Sequence, residues 1–130
     1  MISIGTICKV ADNSGAVLVK CIKVLKISSR IGARPGQTIT VSVKKNIFKR
    51  HIIKKSKIIL KGQICKALIL RTKKSIKRWG NFYIKAINNY ITLLNIYDLP
   101  FATRLFGPVF REIRLQLKYY KVISLAVFTK

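Results

Sequence analysis

Between Arg71 and Arg78 the chain reads RTKKSIKR, and five of these eight residues are cations: Arg71, Lys73, Lys74, Lys77 and Arg78. No acid stands near them. Guanidinium and ammonium groups at this density suit the binding of phosphate oxygens, Arg through its planar fork of donors and Lys as a point charge. Two other stretches have the same character. Arg30 and Arg34 flank glycine in the loop RIGARPGQ, where glycine lets a backbone come close to a ligand. Lys49, Arg50, Lys54, Lys55 and Lys57 crowd into NIFKRHIIKKSKIIL. Each of these runs also reads as a solvated face. That reading loses weight against the whole composition, 27 Lys and Arg against three acids and a net charge of +24. Such a surplus repels itself, and a polyanion relieves it: each neutralised phosphate releases counterions.

The same composition argues against catalysis. Acid–base and metal-assisted hydrolysis need clustered carboxylates or histidines. Here Asp12, Asp98 and Glu112 are scattered, and His51 is alone among lysines. Neither an enzyme nor a bound cofactor is expected, and a nuclease is disfavoured. Cys8, Cys21 and Cys65 form no C-x-x-C pair, so no metal site is expected; they read as small core or strand positions in a reducing compartment. The longest apolar stretches, ALIL and VISLAVF, fall far short of the roughly 20 residues that span a bilayer, so no membrane insertion is expected. The N-terminus lacks the pattern of a transit peptide and reads as a first strand, so the protein is expected to work where it is made. An excess of Ile, Lys and Asn is consistent with an A/T-rich genome such as an organelle's.

At 130 residues, half of them apolar, the chain is the size of one domain with a core of its own. Period-two alternation and turn signals place the elements. Ile2–Asp12 is strand-like, DNSG is a turn, and Ala16–Ile27 reads as a returning strand. Its lysines, three apart, call for a bulge or for burial on both faces. QTITVSVKK alternates cleanly, with Ile39, Val41 and Val43 on one face. Residues 46–60 read as an irregular basic loop leading into a strand. A turn at Gly62 precedes a buried strand from Ile64 to Arg71. The cationic run then forms the arm of a projecting hairpin, with a turn at RWGN and a return through Phe82–Ala86. Asn89–Asp98 reads as another strand. Beyond Pro100, Pro108 suits a first helical residue. Val109, Phe110, Ile113 and Leu117 share one helical face, and Lys121–Phe128 reads as a closing strand. The fold class is mainly β: one small barrel over about residues 1–98 with a helical and strand part over about 99–130.

Several blocks together resemble a known family: VADNSGA, CIKVL, VSVK, RTKK, TRLFGPVFREIR and KVISLA. They resemble, in order and over nearly the whole chain, the signature blocks of the large-subunit ribosomal protein L-fourteen family. The resemblance implies a five-stranded β-barrel with a projecting β-hairpin and a short C-terminal helical segment. It implies binding to large-subunit rRNA and contact with neighbouring large-subunit proteins. It also implies a place at the subunit interface, an intersubunit bridge to small-subunit rRNA, and docking of a ribosome silencing factor. The family usually carries an acid where this chain has Gln37 and Gln63, and an acidic hairpin tip where this chain has Trp79, Gly80, Asn81 and Phe82. Residues 46–58 are longer and more basic than typical. These departures, with the A/T-like composition, suggest a mitochondrion-encoded member; cytoplasm or plastid is the alternative.

The expected rRNA-binding residues are therefore Arg30, Arg34, Lys49, Arg50, Lys54, Lys55, Arg71, Lys73, Lys74, Lys77 and Arg78. Trp79 reads either as a base-stacking side chain or as a cap packed on Phe82 or Tyr83. Arg104, Phe106, Phe110, Arg111 and Arg114 are expected at a subunit bridge or at protein neighbours. The rival readings are a free-standing basic RNA-binding barrel and a basic membrane-surface protein. The first would show several aromatics on one sheet face. The second needs a long amphipathic helix, and only Phe110–Lys118 comes near one.

Overall fold

A computed structural model describes residues 1–25, 32–47 and 59–130. The described residues form seven strands: β1 (Ile7–Val10), β2 (Ala16–Val24), β3 (Thr38–Asn46), β4 (Ile64–Arg71), β5 (Ile76–Lys77), β6 (Tyr83–Ile84) and β7 (Tyr90–Leu94). Five of them close a barrel in the order β1-β2-β3-β4-β7. Neighbours are antiparallel except at the closure, where β1 and β7 run parallel. β5 and β6 form a separate two-stranded hairpin between β4 and β7.

The barrel interior follows from alternation. In β3, Ile39, Val41 and Val43 are fully buried, while Thr40 and Ser42 are only partly covered. They meet Val19, Cys21, Ala67, Ile69, Ile91 and Leu93 from the other strands. The uneven lysine spacing of β2 is accommodated by register shifts around Ala16–Val19 and between Cys21 and Lys23, one of the two expected solutions. β4 needs its unbroken ALIL run because both its faces are covered. Ala67 and Ile69 point into the barrel; Leu68 and Leu70 join a second core with Leu105, Val109, Ile113, Tyr119 and Val122.

That second core corrects three readings. The helix expected from Pro108 is a 3-10 turn at Arg111–Leu115, then a break at Gln116, whose φ of −110° and ψ of 94° are extended. The break resets the helical phase. Leu117 turns out to solvent, 87% exposed, and Tyr119 turns inward. The expected closing strand is instead helix α1 (Tyr120–Leu125). Val122 is buried there and Ile123 packs beside it, below Tyr119, so the apolar spacing at this point is helical. Strand character at the end is confined to a parallel bridge between Val109 and Thr129. The first and last barrel strands are also shorter than expected. The chain turns at Ile4–Gly5, so buried Ile2 leaves β1 and pairs with Ala33. A second turn after Leu94 leaves Ile96 and Tyr97 exposed.

Cys8 and Cys21 are core thiols and Cys65 is half-buried; all three are free. Burial, with Cys21 alongside, pushes the Cys8 thiol up to about 12, so it carries no thiolate near neutral pH.

Candidate nucleic-acid interface

The cationic run leaves the barrel at the end of β4, and its seven-residue path to Arg78 is fixed by polar bonds. Thr72 is fully buried and donates its hydroxyl to the Lys74 carbonyl at 3.0 Å. The Lys73 N–H donates to Asn89 Oδ1 at 2.8 Å, and Ala86 N–H donates to the Thr72 carbonyl. This tight bend throws Lys73 and Lys74 outward, and Lys77 follows on β5; all three are exposed.

The two arginines of the run behave differently. Arg71 is 7% exposed. Its guanidinium donates to the Pro108 carbonyl at 2.7 Å and the Phe106 carbonyl at 3.1 Å, and lies 4.0 Å from the Tyr90 ring centroid. Burial lowers its pKa, but an arginine remains charged. Arg71 therefore holds the C-terminal segment to the barrel and is unavailable to phosphate. Arg78 donates to both carboxylate oxygens of Glu112, at 2.6 and 2.8 Å, and to the Lys130 carbonyl at 2.9 Å. Partial burial opposes ionisation of Glu112, yet the bonds from Arg78 outweigh it and hold the carboxyl below its usual value. Arg78 thus tethers the hairpin, just before its tip, to the segment that carries the second core's Ile113.

Every acid in the protein is committed in this way. Asp12 is buried and accepts from the Ser14 N–H, the Thr92 hydroxyl and the Leu93 N–H, each at 2.9 Å. Asp98 takes Lys118 and Lys66, whose hydrogen bonds lower its pKa. With Glu112 on Arg78, all three acidic side chains have partners within the fold. Among the described residues, none pairs with Lys73, Lys74 or Lys77.

Sequence reading missed a row of lysines on the barrel wall beside this arm. Strand pairing aligns Lys9 with Leu18 and Leu18 with Lys45, and in the next row Ile7 with Lys20. Lys9 and Lys73 line one cleft of about 230 Å³ with Ile7, Leu18, Asn88 and Asn89. The only sequence signal was the position of Lys9 and Lys20 on the outward face of two strands.

The other expected residues divide. Arg34 is exposed. Arg30, Lys49, Arg50, Lys54 and Lys55 lie outside the described residues, as does most of the basic stretch 46–58. Trp79 is 99% exposed, so it does not cap Phe82 or Tyr83. Arg104, Phe106, Arg111 and Arg114 are exposed. Phe110 is 2% exposed and belongs to the fold. Gln37 and Gln63 each accept a turn N–H through Oε1, from Arg34 at 2.8 Å and Leu60 at 3.0 Å. A carboxylate could accept the same bonds; the amide does so without adding negative charge.

The comparisons agree with this geometry. The family model described as Ribosomal protein L14p/L23e matches residues 1–129. A protein of Acanthamoeba castellanii named Large ribosomal subunit protein uL14m is 58% identical over 129 residues, 99% of each chain. Its namesake in Acanthamoeba polyphaga is 60% identical over 117 residues, covering 90% of this chain and all of that one. The family is one of structural ribosomal proteins and not a class of enzymes. A closed five-stranded barrel, a basic hairpin with no acid to spare and a match over nearly its whole length agree: the chain belongs to the ribosomal protein L14p/L23e family.

Proposed function

We propose that this protein is a structural component of the mitochondrial large ribosomal subunit that binds large-subunit rRNA through the β5–β6 arm and the adjoining barrel wall. The observation that carries the reading is the set Lys73, Lys74 and Lys77, exposed on a fixed arm while all three acids are occupied elsewhere. Lys9, Lys20 and Lys45 extend that surface. Long cations on a rigid arm recognise the shape and backbone of folded RNA, and they position the protein without reading sequence. Arg34 is a further phosphate contact in this proposal, and so are Arg30, Lys49, Arg50, Lys54 and Lys55 on the strength of their charge. Arg71 and Arg78 support the arm from within and make no part of the RNA contact. The exposed set Arg104, Phe106, Arg111 and Arg114 serves the subunit interface, toward small-subunit rRNA, neighbouring proteins and a silencing factor. The relatives' shared name supports the mitochondrial assignment.

The test is Lys73→Glu/Lys74→Glu/Lys77→Glu, with rRNA affinity measured across a salt series. Losing three phosphate contacts flattens the log–log salt slope by about 2 to 3 and weakens binding at low salt. Leaving Arg78 intact keeps the tether to Glu112, so the loss is not a loss of folding. An unchanged slope would show that the arm is not an anchor.

A further inference from the structure

The hairpin tip carries a feature that phosphate binding does not use. Trp79, Phe82 and Tyr83 are 99%, 74% and 65% exposed, three aromatic rings within five residues. A mobile loop would gain little from such rings, but this turn is held. Trp79–Asn81 is a 3-10 turn closed by the Arg78 N–H donating to the Phe82 carbonyl at 2.8 Å. Gly80 and Asn81 are both left-handed, with φ of 76° and 60°. The Phe82 ring lies against Gly80, where a Cβ would stand 3.1 Å from it. Arg78, the residue before Trp79, is locked on Glu112. The Trp79 indole is therefore presented from a rigid base with almost no contact to the protein.

We propose that Trp79 stacks on an unpaired base of RNA, so that the tip reads single-stranded nucleotides while the lysines behind it hold the flanking phosphates. The inference rests on the RNA-binding reading above and adds the structural class of RNA that the tip selects. Charge complementarity chooses the occupant. Lys77 pairs with Tyr83 across the hairpin, Lys73 and Lys74 precede its first strand and Lys85 follows its second; all four are exposed, and Glu112, which Arg78 holds beside Trp79, is already paired. A protein partner for such rings would have to bring acids of its own; an RNA strand brings both the phosphates and the flat π-faces. A base stacked in a helix offers no free face, so the platform favours loops, bulges and ends.

Trp79 is the sole tryptophan, which makes it its own reporter. The full-length protein is titrated with a single-stranded oligoribonucleotide, with a duplex of equal phosphate number, and with large- and small-subunit rRNA separately, following indole fluorescence. Stacking quenches the indole with the single strand and not with the duplex, and the rRNA that quenches at the lower concentration supplies the base. Trp79→Ala weakens single-strand binding about tenfold with an unchanged salt slope, and Trp79→Phe, which keeps a ring, recovers most of it. Binding of the single strand without quenching, or an alanine variant of full affinity, would overturn the stacking proposal and leave the phosphate reading intact. Absence of binding to every RNA would overturn both.

Discussion

Arg71→Met unfolds at markedly lower denaturant than the natural chain, by about 3 kcal/mol, and melts about 10 °C lower. Methionine fills the space of the arginine stem but donates nothing. The Pro108 and Phe106 carbonyls then lose their partners in a partly covered site, and the cation over Tyr90 is gone. Hydrogen bonds to a charged group are worth about 1.5–3 kcal/mol each, and total stabilities run about 5–15 kcal/mol, so the loss is a large share. The second core pulls away first, because Arg71 is its main polar link to β4. Gly107 supplies the internal check. A Cβ there would stand 2.5 Å from one terminal nitrogen of Arg71 and 2.9 Å from the other, in a backbone with φ of 79°. Gly107→Ala is thus destabilising twice over in the natural chain. In the Arg71→Met background only the backbone strain remains, about 1 kcal/mol. Strict additivity of the two substitutions would show that the close approach is not why glycine is there. Moderate salt in the measurement screens self-repulsion among the exposed lysines.

Asp12→Ala has the second large effect, about 2–4 kcal/mol, since it strips three donors of one acceptor group. The carboxylate stitches the turn after β1 to the neighbouring β7 at the closing seam of the barrel, through the Ser14 N–H, the Thr92 hydroxyl and the Leu93 N–H. Asp12→Asn recovers only part, because one oxygen becomes a donor facing other donors. Hydrogen exchange gives the local readout: the Leu93 amide loses protection in the alanine variant. A variant with natural stability and a protected Leu93 amide would remove Asp12 from the account of the fold.

Local pattern was enough where one face of a strand is buried and the other is wet. β3 shows this, with Ile39, Val41 and Val43 inward. β4 was legible for the opposite reason, since its unbroken apolar run means cover on both sides. The C-terminal segment was legible as helical but not in its phase or extent, because one extended residue, Gln116, changes which side chains share a face. The separate fates of the cations in the run were also hidden. Arg71 and Arg78 find hydrogen-bond partners 34 to 52 residues away, and nothing in a local window says whether a guanidinium will meet a carbonyl, a carboxylate or a phosphate. Lys9, Lys20 and Lys45 are unremarkable singly and become a surface only through strand register.

The central claim is that ribosomal RNA supplies the negative charge this barrel lacks. Mitochondrial lysate is fractionated on a gradient after a wash at about 1 M salt, where the Debye length falls to about 3 Å and loosely adsorbed basic proteins are stripped. The account predicts that the protein stays in the large-subunit peak and is absent from the top of the gradient. An abundant, folded pool free of RNA at the top would contradict it.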